Sequence, residues 1–336
     1  MKQIAIALPL VALTILAACG GGSAPKAFDL SSSTPDLKGR ILHLVNSAPP
    51  DVSDTVIYLT VKKLREWGAT VTLDNVQGDP VAVKAVLAGS ADVATRSSTA
   101  PDISSGLIAF GPSQPHVDYF LVTSKSITKI DQLKGHNFAV SNTGGIEAAM
   151  YHAEMALHKI NEKDVPLIIS GTAAVRVQAM LAGKIDATFA HADGYLTLKE
   201  AGLNAVATVA KDVPDLAAGF WSTKQSWLDA NPDLAVALNM AWLWAAHIFQ
   251  TDEKAFIAAT QEYTKNAQPD SYHDAYYKIV KAANTWPDDG SGFTEESLNY
   301  NAKLAYDTKA TDKQAALADW ATTKYWKQAV SNVLHK

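Results

Sequence analysis

The chain has 336 residues, enough for two domains, and its 48% apolar and 19% charged residues exclude intrinsic disorder and allow a sizeable core. Lysine and arginine total 29 against 34 aspartate and glutamate, a formal charge of −5, and no basic run exceeds two residues, which excludes phosphate-backbone binding and a nucleic-acid partner. The one cysteine excludes a disulfide framework and, where it stands, thiol catalysis.

Lys2 is followed by an uncharged run over residues 4–18, shorter than the roughly 20 apolar residues of a membrane-spanning helix. Residues 1–18 read as a secretory signal peptide. The run ends in Leu16-Ala17-Ala18-Cys19-Gly20, which resembles the lipobox of bacterial lipoproteins, where the Cys19 thiol would be lipidated and become the new N-terminus. Cleavage there leaves 318 residues and, with Lys2 gone, a formal charge of 28 minus 34, or −6. Residues 19–36 then read as a lipidated, flexible tether: Ser and Gly dominate, Phe28 is its only aromatic, and it buries too little to fold. Acyl chains contribute about 0.8 kcal/mol per buried CH₂, which holds such a protein at a membrane surface while the folded part stays in water.

The folded part begins with a duplicated unit. Leu37-Lys38-Gly39-Arg40 is repeated as Leu133-Lys134-Gly135-His136, offset by 96 residues. Val83-Lys84-Ala85-Val86-Leu87-Ala88-Gly89-Ser90-Ala91-Asp92 is repeated, more loosely, as Val177-Gln178-Ala179-Met180-Leu181-Ala182-Gly183-Lys184-Ile185-Asp186, offset by 94. Two matches in one order at nearly one spacing predict two similar lobes. Within the first unit the pattern predicts a strand at 41–46, a helix at 54–67, a strand at 70–74, a helix at 79–88 and a strand at 91–95; within the second, 137–141, 146–159, 166–169, 173–182 and 185–190. This is βαβ logic, with Gly89 and Gly183 suited to the left-handed position after a helix. Residues 205–210 supply a further apolar run.

Residues 119–123 and 218–223 flank the second unit and are expected to be two crossings between lobes. The expected division is therefore lobe I at 37–120 plus 221–336, and lobe II, inserted, at 121–220. From Trp227 onward the pattern is helical, with helices expected near 234–249, 253–263, 270–283, 294–306 and 312–330. Neither His-Glu-x-x-His, Gly-x-Ser-x-Gly nor a phosphate-binding Gly-x-x-x-x-Gly-Lys loop occurs. His152, Glu154 and His158 are metal-ligating types, but two histidines six residues apart on a helix diverge by about 120°, so they are expected to be surface residues and no metal or cofactor is expected.

The order of these motifs resembles the type 2 periplasmic binding proteins of the nitrate, taurine, aliphatic sulfonate and thiamine-precursor group. The resemblance is carried by the strand-loop-helix opening at 41–67, by Ala85-Val86-Leu87-Ala88-Gly89-Ser90-Ala91-Asp92-Val93-Ala94, by Asp131-Gln132-Leu133-Lys134-Gly135 and by the stretch from Arg176 to Ala187. It covers roughly residues 39 to 250. It implies an α/β fold of two lobes, each a sheet flanked by helices, with extra C-terminal helices. With the lipobox, it implies a monomeric lipoprotein outside the cytoplasm that captures a solute for an ABC permease and its ATPase, without catalysis. The rival reading is an enzyme on the same architecture, although the thiamine-pyrimidine synthases of that kind carry a Cys-rich motif absent here. A ligand-presenting ectodomain of a sensor is a third reading.

In open α/β sheets, ligands bind beyond the carboxyl ends of the strands, where helix N-termini present free amides. That rule selects Asn46 and Ser47, Arg96 with Ser97 and Ser98, Asn142 through Thr143, Gly144 and Gly145, and His191 with Asp193. The Thr143-Gly144-Gly145 step suits backbone approach to an anionic or strongly polar head, or is a plain helix-capping turn. Arg96 and Arg176 are candidates to grip a carboxylate or sulfonate, which makes an anionic organic solute the expectation. Arg176 has a second reading, as partner of a neighbouring carboxylate. Trp221 is either a stacking face for a flat ligand or buried in the crossing.

Overall fold

The computed structural model describes residues 27–30, 33–96, 105–143, 145–265, 269–308 and 311–335. The expected signal peptide, Cys19, and residues 20–26 and 31–32 of the expected tether lie outside the described residues, as do Ser97, Ser98 and Gly144; the described part of that tether packs on the fold, with Phe28 paired to Leu334 and Ser33 donating to the Asn332 carbonyl at 2.7 Å. In chain order, β1 (Ala27–Phe28) and β2 (Ile41–Asn46) lead to α1 (Thr55–Glu66), β3 (Thr70–Asn75), α2 (Asp79–Ala88), β4 (Val93–Ala94), β5 (Ile108–Gln114) and β6 (Tyr119–Thr123). Next come β7 (Phe138–Val140), α3 (Ile146–Leu157), β8 (Leu167–Ile169), α4 (Ala173–Leu181), β9 (Ala187–His191), α5 (Ala192–Glu200), β10 (Asn204–Thr208), α6 (Val209–Asp212) and β11 (Gly219–Thr223). The remainder is helical: α7 (Gln225–Ala230), α8 (Pro232–Thr251), α9 (Glu253–Thr264), α10 (Asp270–Ala282), α11 (Glu295–Asp307), α12 (Leu317–Trp320) and α13 (Lys324–Val333), closed by β12 (Leu334–His335).

Two five-stranded sheets organise the molecule, in the orders β3-β2-β4-β11-β5 and β10-β6-β9-β7-β8. In the first, β2 runs parallel to β3 and β4, while β11 is antiparallel to β4 and β5. In the second, β7 runs parallel to β8 and β9, while β6 is antiparallel to β9 and β10. This is the two-lobed type 2 periplasmic-binding architecture expected from the sequence. The duplication has a physical signature. Asp92 accepts the His43 amide at 2.8 Å, and Asp186 accepts the Asn137 amide at 3.0 Å. Both pairs are 49 residues apart, and the two sites are 94 residues apart, so one carboxylate stitches the equivalent parallel strands in each sheet. The Gly39–Gly135 match at 96 therefore reflects a second lead-in two residues shorter. Gly89 and Gly183 both adopt left-handed conformations, φ 81° and 65°, after α2 and α4.

Two expectations change. Residues 119–123 and 219–223 are interior strands of the second and first sheets, not crossings; the chain passes between sheets at residues 115–118 and 209–218. The helix expected over 312–330 is broken into α12 and α13. Between them Ala321 is extended, forms a parallel bridge to Ala109, and Thr322 donates its amide to the Ala109 carbonyl at 2.8 Å. Tertiary pairing with the edge of β5 outweighs helical propensity there, helped by the adjacent β-branched Thr322 and Thr323. Strand β5 itself is not marked by a clean alternation, because Gly111 and Pro112 interrupt it; its end position in the sheet is where a proline is tolerated.

The core follows from α8, an almost wholly apolar helix buried along most of its length, which lies against α1, β5 and α13. Trp242 donates its indole N–H to the Ser113 carbonyl at 3.1 Å, so this large ring is buried without an orphaned donor. The C-terminal helices reach beyond the first sheet. Helix α10 packs on α5 and α11 on α3, and Asn301 both donates to the Ala217 carbonyl and accepts its amide. Among the described residues, no helix is long and apolar enough to cross a membrane.

Candidate functional site

Strand β2 ends at Asn46, whose fully buried amide organises the carboxyl edge of the first sheet. Its Nδ2 donates to Asp54 Oδ2 at 3.1 Å, Asn75 Oδ1 at 3.2 Å and the Ala48 carbonyl at 3.2 Å, while its Oδ1 accepts from Thr95 at 2.8 Å. Asp54, also buried, meets Arg96 Nη2 at 2.8 Å, and the same guanidinium nitrogen donates to Ser53 Oγ at 2.6 Å. Burial pushes the Asp54 carboxyl up to about 6 against the pull of Arg96. Burial opposes the charge on Arg96 in turn, but Asp54, Asp51 and Asp118 more than offset it and raise its pKa. Asp79, in the first turn of α2, is raised by burial although it is hydrogen-bonded to Ser47.

The second half comes from the crossings and the other sheet. Gln114 donates to the buried Asp118 at 3.0 Å, and His191, at the end of β9, pairs with the same carboxylate at 2.9 Å while its ring lies 3.8 Å from that of Tyr119. Burial works against charge on His191, but Asp118 overcomes it and raises the imidazole to about 9. The same contact, with help from Arg96 and Gln114, holds Asp118 below the usual carboxylate value despite its burial. Asp193, in the first turn of α5, is pushed up to about 6 by burial and then by Asp51.

These groups surround a cavity of 110 Å³ lined by Ser47, Asp79, Arg96 and Gln114 from the first sheet's side, Ala218 from the return crossing, and Tyr119, Ile146 and His191 from the second. Thus Ser47, Arg96 and His191 meet in one cavity. Asn46 lies beneath it as a hub, Gly145 adjoins it as the N-cap of α3, and Asp193 is half-buried beside it. Asn142 and Thr143 are exposed and not part of the lining.

Two candidates are placed elsewhere. Arg176 is fully buried, ion-paired with Glu147 and hydrogen-bonded to Thr188 and the Gly171 carbonyl. Its fork is consumed inside the second lobe, which realises the carboxylate-partner reading. Trp221 has no exposed surface and sits in the apolar core of the first sheet, so it offers no face to a ligand here. The residues not anticipated are Asp54, Asp79, Gln114, Asp118 and Tyr119. Gln114, Asp118 and Tyr119 share a signal of position, at or beside the 115–118 crossing, which borders the cleft as closely as the strand ends do; Asp54 and Asp79 lie at the helix starts that follow β2 and β3. The C-terminal helices add Tyr276, buried and with a hydroxyl that has no hydrogen-bond partner among the described residues; burial, then Asp118, Asp51 and Asp193, raises its pKa well above the usual phenol.

The His191–Asp118 pair makes stability pH-dependent in a defined direction. A histidine raised from 6.5 to about 9 contributes stability that is fully present below pH 6.5 and lost as pH rises through 9. At 1.36 kcal/mol per unit this is on the order of 3 kcal/mol. Urea unfolding of the unliganded protein at pH 6, 7.5 and 9 is expected to show that decline, and His191→Gln to flatten it. An equal slope in the variant would assign the decline to other groups.

A family model described as NMT1/THI5 like matches residues 65–252, more than half of the chain. No curated protein matches it in sequence. Among solved structures it is similar to the periplasmic aliphatic sulphonate binding protein SsuA from Escherichia coli (14% identity, 84% of this chain and 92% of that one, TM-score 0.68). It is also similar to the periplasmic nitrate-binding protein NrtA from Synechocystis PCC 6803 (13% identity, 89% of each chain, TM-score 0.63). The desulfurization enzyme DSZB shares the fold as well (12% identity, 87% of this chain and 99% of that one, TM-score 0.59). With more than half its length matched and the two-sheet architecture in place, the chain belongs to the NMT1/THI5-like family.

Proposed function

We propose that this chain is the solute-binding component of an ABC import system, held outside the cytoplasm by lipid on Cys19 and delivering its solute to a membrane permease driven by an ATPase. The observation that carries the reading is the composition of the 110 Å³ cavity, whose lining is divided between two separately built sheets and the return crossing that joins them. Contacts from both halves coexist only when the halves are together, so a solute there shifts the population toward the closed form. The sulfonate-binding and nitrate-binding neighbours support the reading. Ser47, Arg96, Gln114, Tyr119 and His191 are the proposed ligand contacts, and the Ile146 end of α3 adds free amides.

The lining changes the expected solute. Arg96 and His191 are each matched by a buried carboxylate, Asp54 and Asp118, so neither is a free cation. Asp79 and Asp193 add two carboxylates with no salt-bridged cation among the described residues. Three helix N-termini, of α2, α3 and α5, offset them with roughly half a positive charge each. The sum is close to neutral and slightly negative, which favours an uncharged or zwitterionic polar solute over a strong oxyanion.

The test is a thermal-shift panel at pH 7 containing zwitterions, neutral nitrogen heterocycles, sulfonates, dicarboxylates and nitrate. A solute of the first two classes at about 100 times its Kd is expected to stabilise by about 2.7 kcal/mol. Repeating hits at pH 5.5 separates the charge readings: an anion gains affinity as Asp193 takes up its proton near 6, whereas a neutral solute does not. Shifts from anions alone would overturn the charge argument. No shift across the panel, or chemical turnover of a bound compound, would remove the transport reading in favour of an enzyme on this fold.

A further inference from the structure

We infer that α3 and α6 together form a site for one first-row divalent metal ion, held by Glu154, His158 and Asp212. His152 and His158 diverge on the helix and make no ligand pair. The pair that converges is Glu154 and His158, four residues apart and so on one helical face, with Asp212 brought alongside at the end of α6. One ligand atom from each residue lies within 4.8 Å of the other two. His158 Nε2 is 3.5 Å from Glu154 Oε2, close to the separation of two donors that share a tetrahedral zinc at about 2.0–2.1 Å.

The independent observation is Glu154 itself, which the sequence reading placed on the surface. Its side chain is 0% exposed, and neither carboxylate oxygen has a hydrogen-bond partner among the described residues. A buried carboxylate in that condition must keep a proton or meet a cation. No lysine or arginine among the described residues pairs with Glu154 or Asp212, and Lys303 of the adjoining groove is paired with Asp307. A divalent ion replaces the proton and neutralises both carboxylates at once.

The donor set selects the ion. One imidazole with two carboxylates suits Zn²⁺, Co²⁺ or Mn²⁺, whereas Ca²⁺ and Mg²⁺ prefer all-oxygen shells. Asp212 also lines a 660 Å³ surface groove with Tyr300, Lys303 and Asp307, which supplies an approach from solvent and room for a water as fourth ligand. The site is distinct from the solute cavity, since Glu154 lies eight residues, or about 12 Å along the helix axis, from Ile146. Asp212 lies within the 209–218 return crossing, so the ion ties α3 to that crossing.

The experiment uses the full chain, stripped with EDTA and titrated with ZnCl₂ by calorimetry and thermal shift, with MgCl₂ in parallel. Expected are one zinc per chain, a Tm rise of about 5 °C or more at zinc near 100 times its Kd, and no rise with magnesium. Losing one outer-shell partner of a metal typically costs about 10–100-fold in affinity, so His158→Ala and Asp212→Asn, both outside the core, are each expected to weaken zinc by at least that lower bound. His152→Ala, at a neighbouring histidine paired with Glu162 at 2.8 Å, leaves it unchanged. Failure of the unaltered chain to bind zinc, or equal binding by the His158 and Asp212 variants, overturns the site. Neither result bears on the solute cavity, which is tested without metal.

Discussion

Arg176→Met is expected to destabilise the protein by about 3–5 kcal/mol, the cost of breaking a buried pair by removing one partner. Glu147, also buried, would be left, among the described residues, with only the Ser141 amide, which it accepts at 2.7 Å. The Thr188 hydroxyl and the Gly171 carbonyl would lose their guanidinium contacts too. Arg96→Met is expected to behave differently. Asp54 already sits near 6 and can take up a proton once its cation is gone, so the fold survives while the solute-induced thermal shift shrinks. Urea unfolding and thermal shift on both variants separate an arginine that holds a lobe together from one that lines the cleft. A mild stability loss in Arg176→Met would mean that the Glu147 pair is not the anchor described here.

Gly111→Ala is expected to cost about 3–5 kcal/mol, combining overpacking with loss of buried hydrogen bonds. The glycine needs no unusual backbone; what it supplies is space. A Cβ there would stand 1.7 Å from Asn239 Oδ1 and 2.6 Å from its Cγ. Asn239 is fully buried on α8 and donates to the carbonyls of Phe110 and Ala235, at 3.2 and 3.0 Å, which docks the longest helix on the edge strand. The methyl would have to expel that amide. Asn239→Ala opens the space but loses the docking bonds, so the double variant should be less destabilised than the sum of the singles. A denaturant double-mutant cycle measures this coupling, and strict additivity would contradict the steric account.

Local rules made much of the fold legible. The strand expected at 41–46 and the helix expected at 79–88 have those bounds in the structure, because an apolar run behind a glycine turn and a Pro80-led, Gly89-ended helix carry their own signals. The strand-end rule then brought Ser47, Arg96 and His191 to one cavity. Asp54, Asp118 and Asp79 were not legible, since a carboxylate in a loop looks alike in sequence whether solvated or buried.

The sequence by itself determined the βαβ periodicity, the duplication and the family resemblance, because each is written in short local patterns and in their order along the chain. Only the tertiary structure decided which charges meet. Arg176 is joined to Glu147 across 29 residues, Asn46 to Thr95 across 49, and Ala321 leaves its helix for a strand more than 200 residues earlier. Such contacts form where packing removes water and an unpaired polar group becomes costly, and no local pattern records where that happens.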